Sequence, residues 1–177
     1  MLSRRSSVAV AALLAIGLSG CAATPAPTPS PSTTGFVSEE EAFAAAEETY
    51  RAYTSSVDDY YGGQNTSDPL QYLVHEARES EEAAQALFDE QGLQSEGSVR
   101  IVSFTAQSVS LVAGAAEVKA LACLDTSDRV IRDQTGKELN PDADAVIGQE
   151  VVLVSINERM RISSTEQVED GNECTAN

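Results

Sequence analysis

The sequence predicts an α+β domain, and three observations carry that prediction. From Ser38 to Gly92 the apolar residues recur every three or four positions; from Val99 to Val168 they alternate with polar ones; and turn residues, with no internal repeat, separate the segments. Helices first and an antiparallel sheet afterwards describe a curved sheet wrapped over a long helix.

The first helix starts at a capping box, with Ser38 as N-cap and Glu41 three residues on, so that three carboxylates face the positive end of the helix dipole. Phe43, Ala46, Tyr50, Tyr53, Val57 and Tyr60 or Tyr61 form its apolar stripe, and Gly62-Gly63 ends it. Asp68-Pro69 is an N-cap followed by proline at N1, which opens a short helix through Leu70, Tyr72 and Leu73. Glu79 to Gln91 reads as a further helix, with Ala83, Ala84, Leu87 and Phe88 as its buried face and Gly92 as its stop. VRIVSFTAQSVSLV and AEVKALACL, joined by Ala113-Gly114, then alternate as a β-hairpin. Val130-Ile131-Arg132 is a short strand ending in the turn Asp133-Gln134-Thr135-Gly136, and Glu138 to Ile147 reads as a loop. Glu150 to Ile156 and Met160 to Val168 form a second hairpin around Asn157-Glu158.

Ahead of the domain lie Arg4 and Arg5, an apolar run from Val8 to Leu18, and the small residues Ser19 and Gly20. This is a secretory leader, with an apolar run too short to cross about 30 Å of hydrocarbon as a helix. Leu18-Ser19-Gly20-Cys21 resembles the bacterial lipobox, L-[AS]-[GA]-C, at every position. The resemblance implies that residues 1–20 are removed, that the Cys21 thiol receives a diacylglycerol, and that the protein stays on the extracytoplasmic face of its membrane. Two acyl chains suffice for such anchoring, at about 0.8 kcal/mol per buried methylene. Arg4-Arg5 fits twin-arginine export as well as the general route, though Ser6-Ser7-Val8 lacks the apolar pair that signal expects. Residues 21–35 hold four of the six prolines alternating with small residues, a composition that favours extended polyproline II at about 3.1 Å per residue and suits a tether on the order of 40 Å long.

Residues 36–177 suffice for one domain. The chain has 11 basic and 28 acidic residues, and the leader takes two of the basic ones, so 9 basic against 28 acidic leave a balance of −19. So acidic a surface repels nucleic acid and favours cationic partners. With Cys21 lipidated, Cys123 and Cys174 remain in an oxidising compartment, where a bridge would staple the C-terminal tail to the sheet. The alternative, free thiols or a metal pair, has neither CxxC spacing nor nearby histidines.

The order of elements resembles the NTF2-like family, a cone made by a bent sheet closed with N-terminal helices. Ala122-Cys123-Leu124-Asp125-Thr126-Ser127, followed by Asp133 and Gly136, is similar to small NTF2-like lipoproteins of actinobacteria, in which a cysteine also closes the chain. The family hosts isomerases and dehydratases whose bases point into the mouth of the cone. That implication makes His75 or Asp125 a candidate base and Tyr53, Tyr60 and Tyr72 candidate pocket residues. The bland alternatives are a solvated His75, an Asp125 that accepts turn hydrogen bonds near Thr126 and Ser127, and tyrosines that are core. Asp58-Asp59 and Asp142-Ala143-Asp144 lack the spacing of a calcium loop and read as solvated acids. No metal, cofactor or catalytic motif emerges. The expectation is a membrane-anchored, non-catalytic module of the cell envelope that holds a protein partner or a small apolar ligand, with an NTF2-like enzyme acting on a small hydrophobic molecule as the alternative.

Overall fold

In a computed structural model the described residues are 35–64, 66–140, 145–168 and Cys174, all within the compact unit Thr33–Asn177. The leader, the lipobox with Cys21, nearly all of the tether and Asp142-Ala143-Asp144 lie outside the described residues.

Helix α1 (Glu39–Tyr61) begins where the capping residues place it: the Glu41 amide donates to Ser38 Oγ at 3.1 Å, and Glu41 Oε2 accepts the Val37 amide at 2.9 Å. Its buried line is Ala42, Ala46 and Tyr50, with Phe43 and Tyr53 on the flanks. Small residues on that line bring the helix close to the sheet, and Tyr50 supplies most of the buried volume. The Tyr50 ring stacks on Phe104 at 5.2 Å, and Phe104 on Phe43 at 5.7 Å.

Asp68 caps a single 3-10 turn, Pro69–Tyr72. The chain then lies against the sheet: Leu73 bridges Ile162, and the Val74 amide donates to the Ile162 carbonyl at 2.9 Å. That anchor starts helix α2 (His75–Gln91) four residues before the expected Glu79, with Val74 as an N-cap that offers no side-chain bond. The expected start followed the apolar periodicity, whereas the actual one is set by the tertiary bridge. Gly92, at φ 58, ends α2 in the left-handed region, and the Leu93 amide returns to the Phe88 carbonyl.

The main sheet has the order β2-β3-β5-β6, antiparallel throughout: β2 (Arg100–Val112), β3 (Ala115–Asp125), β5 (Val146–Ile156) and β6 (Arg159–Val168). Both hairpin turns place two residues at positive φ, Ala113-Gly114 and Asn157-Glu158, which matches the twist of the strands they join. β5 starts at Val146, so Val146 and Ile147 leave the expected loop and pair with Asp125 and Leu124. A second sheet was not foreseen: β1 (Gln94–Glu96) pairs with β4 (Val130–Arg132). The residues Gln-Ser-Glu carry no alternation to announce a strand. The result is the α+β architecture of the NTF2-like kind, helices packed on a curved antiparallel sheet that does not close into a barrel.

Val118, Ala120, Ala122, Val151, Leu153 and Ile162 point from the sheet toward α1. On the opposite face Cys123 is bonded to Cys174, with 5.5 Å between their Cα atoms. Gly148, opposite Cys123 in the ladder, makes room for that bridge: a Cβ there would stand 3.3 Å from Cys174 Sγ and 3.5 Å from Val168 Cβ. Gly148→Val is therefore expected to leave Cys123 and Cys174 partly reduced under oxidising conditions that fully bridge the wild type. Thiol alkylation under denaturing conditions would measure this, and full protection in the variant would contradict the packing argument.

Candidate functional site

The face that α2 turns inward is polar. Ala77, Glu81 and Gln85 are buried, while the expected Ala83, Ala84 and Leu87 are exposed and Phe88 is half-buried. The sequence pattern located the apolar stripe correctly and assigned it to the wrong environment. The reason is chemical. Two tyrosines on α1 give Glu81 a full set of donors: Tyr53 donates to Oε2 at 3.1 Å and Tyr61 to Oε1 at 3.0 Å, and Gln85 Nε2 adds a bond to Oε1 at 3.2 Å. A buried carboxylate is tolerable when its oxygens are satisfied in this way.

Burial, and then the neighbouring Glu81 carboxylate, pushes the Tyr53 and Tyr61 hydroxyls well above the usual phenol value of 10.0; burial alone does the same to Tyr50. A phenol raised in the folded state stabilises the fold fully below the unfolded pKa, and that stability is lost as pH rises through the folded value. Unfolding is therefore expected to become progressively easier above pH about 10. Absorbance titration at alkaline pH should show three tyrosines ionising only with cooperative loss of structure; five independent ionisations near pH 10 in a folded protein would contradict the network.

With its polar face turned in, α2 leaves an apolar groove open to solvent. Tyr61, Ala84, Leu87, Phe88, Leu93 and Ile131 line a hollow of about 220 Å³. Phe88 meets the Tyr61 ring edge-on at 4.7 Å, and Leu87 is 52% exposed. Arg129 forms part of the wall: its guanidinium lies 5.9 Å from the Tyr61 ring centre, its Nε donates to Ser95 Oγ at 3.2 Å, and it pairs with Asp58 at 3.6 Å. Asp58 is thus not the solvated acid expected from sequence. It is half-buried and accepts the Val99 amide, and burial raises its pKa against the opposing pull of that amide and of Arg129. Asp59 accepts the Thr66 hydroxyl at 2.8 Å.

The candidate pocket residues of the sequence reading do not form one site. Tyr53 donates to Glu81, Tyr60 packs against Tyr61 at the end of α1, and Tyr72 is half-buried in the 3-10 turn. His75 is exposed at the start of α2. Asp125 closes a turn at the end of β3: the Ser127 hydroxyl and amide donate to Oδ1, and Arg100 pairs with the other oxygen. The Ser127 hydroxyl first, then its amide, then Arg100 hold the Asp125 carboxyl down at about 2. Glu81, Gln85 and Arg129, which build the site, carried no signal in the sequence. Two polar residues one helical turn apart read as a solvated edge unless the tyrosines opposite them are known.

No family model and no curated protein matches the sequence. Among solved structures the chain is similar to the intermembrane space region of the chloroplast protein ARC6, with 13% identity, a TM-score of 0.51, and coverage of 75% of this chain and 98% of that one. It is also aligned, at 15% identity over 73% of this chain and 78% of the other, with a SEC-C motif containing protein from Rhodopseudomonas palustris, at a TM-score of 0.33. The likeness to the ARC6 region is one of fold.

Proposed function

We propose that the protein is a lipid-anchored binding module of the cell envelope, attached to its membrane through Cys21, raised on the segment 21–35, and holding an apolar group of a partner in the α2 groove. The observation that carries this reading is the inversion of α2. The helix buries a carboxylate and an amide, at the cost of a dedicated hydrogen-bond network, and leaves Leu87 exposed and Phe88 half-buried. Burying a leucine side chain is worth about 1.5–3 kcal/mol, so an apolar trough kept open is a site waiting for cover.

The isomerase- or dehydratase-type alternative draws no support from the side chains it named. His75 is exposed, Asp125 is engaged by Ser127 and Arg100, and the phenols of Tyr53 and Tyr61 already donate to Glu81.

Two experiments test the proposal. A photoreactive residue at Leu87 is expected to give discrete adducts on intact cells, whereas one at Lys119, on an exposed part of β3, is not; equal labelling from both positions would sink the groove reading. Cys21→Ala is expected to abolish diacyl labelling and release the protein from membranes, and persistent labelling of that variant would remove the anchor.

A further inference from the structure

Beyond Phe88 the groove continues into a larger hollow of about 570 Å³, and its walls change character: Tyr60, Gly62, Gly63, Asp89 and Glu96 replace the aliphatic residues. Tyr61, Phe88, Leu93 and Ser95 belong to both parts, so an occupant running along the groove passes directly from an apolar trough to an acidic end.

The negative charge at that end is only partly compensated. Among the described residues Asp89 has no ion-pair partner, and Glu96, whose side chain is 70% exposed, reaches only Arg132 at 3.9 Å. Arg129 is already held by Asp58, Ser95 and the Tyr61 ring. The Tyr60 hydroxyl senses the same field: burial raises its pKa first, and Asp89, Glu81 and Asp68 raise it further.

Openness favours a chain over a free small molecule. Drug-sized ligands are held in concave sites that bury about 70–90% of their surface, whereas Leu87 is 52% exposed and the Glu96 side chain 70% exposed, so the apolar trough of about 220 Å³ suits one or two anchoring side chains of a longer segment. The acidic hollow beside it then takes a charge carried by the same chain.

We infer that the groove binds a polypeptide segment in which an apolar side chain stands next to lysine or arginine, the apolar group seated on Leu87 and Phe88 and the cation between Asp89 and Glu96. This rests on the groove reading above and adds the chemistry of the partner. The acidic balance of the whole domain would steer such a segment in from a distance, and the steering would weaken with salt.

The test is selection of a random peptide display library on the full chain. Selected peptides are expected to be enriched in Lys or Arg next to Leu, Ile or Phe. Their affinity should fall about tenfold or more for Leu87→Glu, for Asp89→Asn with Glu96→Gln, and on raising salt from roughly 0.05 to 0.5 M. These positions are exposed, and circular dichroism of each variant checks that the fold is kept. Peptides that need Leu87 but lack basic residues would overturn the inference and leave the groove reading standing. A neutral fluorescent dye displaced by Leu87→Glu, with no peptide selected, would do the same in favour of a small apolar occupant. Peptides bound equally by the wild type and Leu87→Glu would overturn both.

Discussion

Reduction of the Cys123–Cys174 bridge is expected to cost about 4 kcal/mol of stability and to lower the melting temperature by on the order of 10 °C. The bridge joins residues separated by 51 positions, so in the chain-entropy picture it removes a large share of the freedom of the unfolded chain. Its folded-state surroundings add to this. Cys123 is buried within β3, and Gly148 leaves the other sulfur a seat on the neighbouring strand. Thermal melts of the wild type with and without reductant, beside Cys123→Ser with Cys174→Ser, separate the cross-link from the side-chain changes. If all three melt together, the bridge contributes nothing and the C-terminal segment is held by other contacts.

Glu81→Ala is expected to destabilise the protein by about 2–4 kcal/mol, more than a surface carboxylate could, because it orphans two phenols and an amide at once. Glu81→Gln retains an acceptor and should lose less. The decisive comparison is the triple replacement Glu81→Leu, Tyr53→Phe and Tyr61→Phe, which removes both phenol donors together with their acceptor and leaves only the Gln85 amide without it. Losing an unsatisfied partner is expensive, whereas removing both sides of a buried bond is close to neutral, so the triple variant should recover most of the loss in urea denaturation. A triple variant less stable than Glu81→Ala would show that the four groups act through packing rather than through their hydrogen bonds.

Those two expectations differ in how far the sequence announced them. The bridge was legible because the expected lipidation of Cys21 and the expected export leave two cysteines and one pairing. Helix α1 was legible because its cap, stripe and stop are local features, and the two hairpins because alternation and turn residues agree. Three features decided by contact across the fold were not legible. The start of α2 depends on Leu73 meeting Ile162, the strand Gln94–Glu96 exists only because Val130–Arg132 lies beside it, and the buried face of α2 is chosen by Tyr53 and Tyr61. Periodicity reports that a helix has an apolar side, but it does not report which side the rest of the chain will satisfy better.

Helix α1 separates the start of the described domain from the groove. Residues 1–34 join the described domain at Gly35, where the Phe36 amide donates to the Gly114 carbonyl, at the N-terminal end of that helix. Tyr60, Tyr61, Gly62 and Gly63, at its other end, belong to the groove. Twenty-three helical residues separate the two ends by about 34 Å. Under the proposed anchoring and binding, α1 would act as a strut between the tether and the groove, and the load of a bound segment would pass through α1 and the strands packed on it.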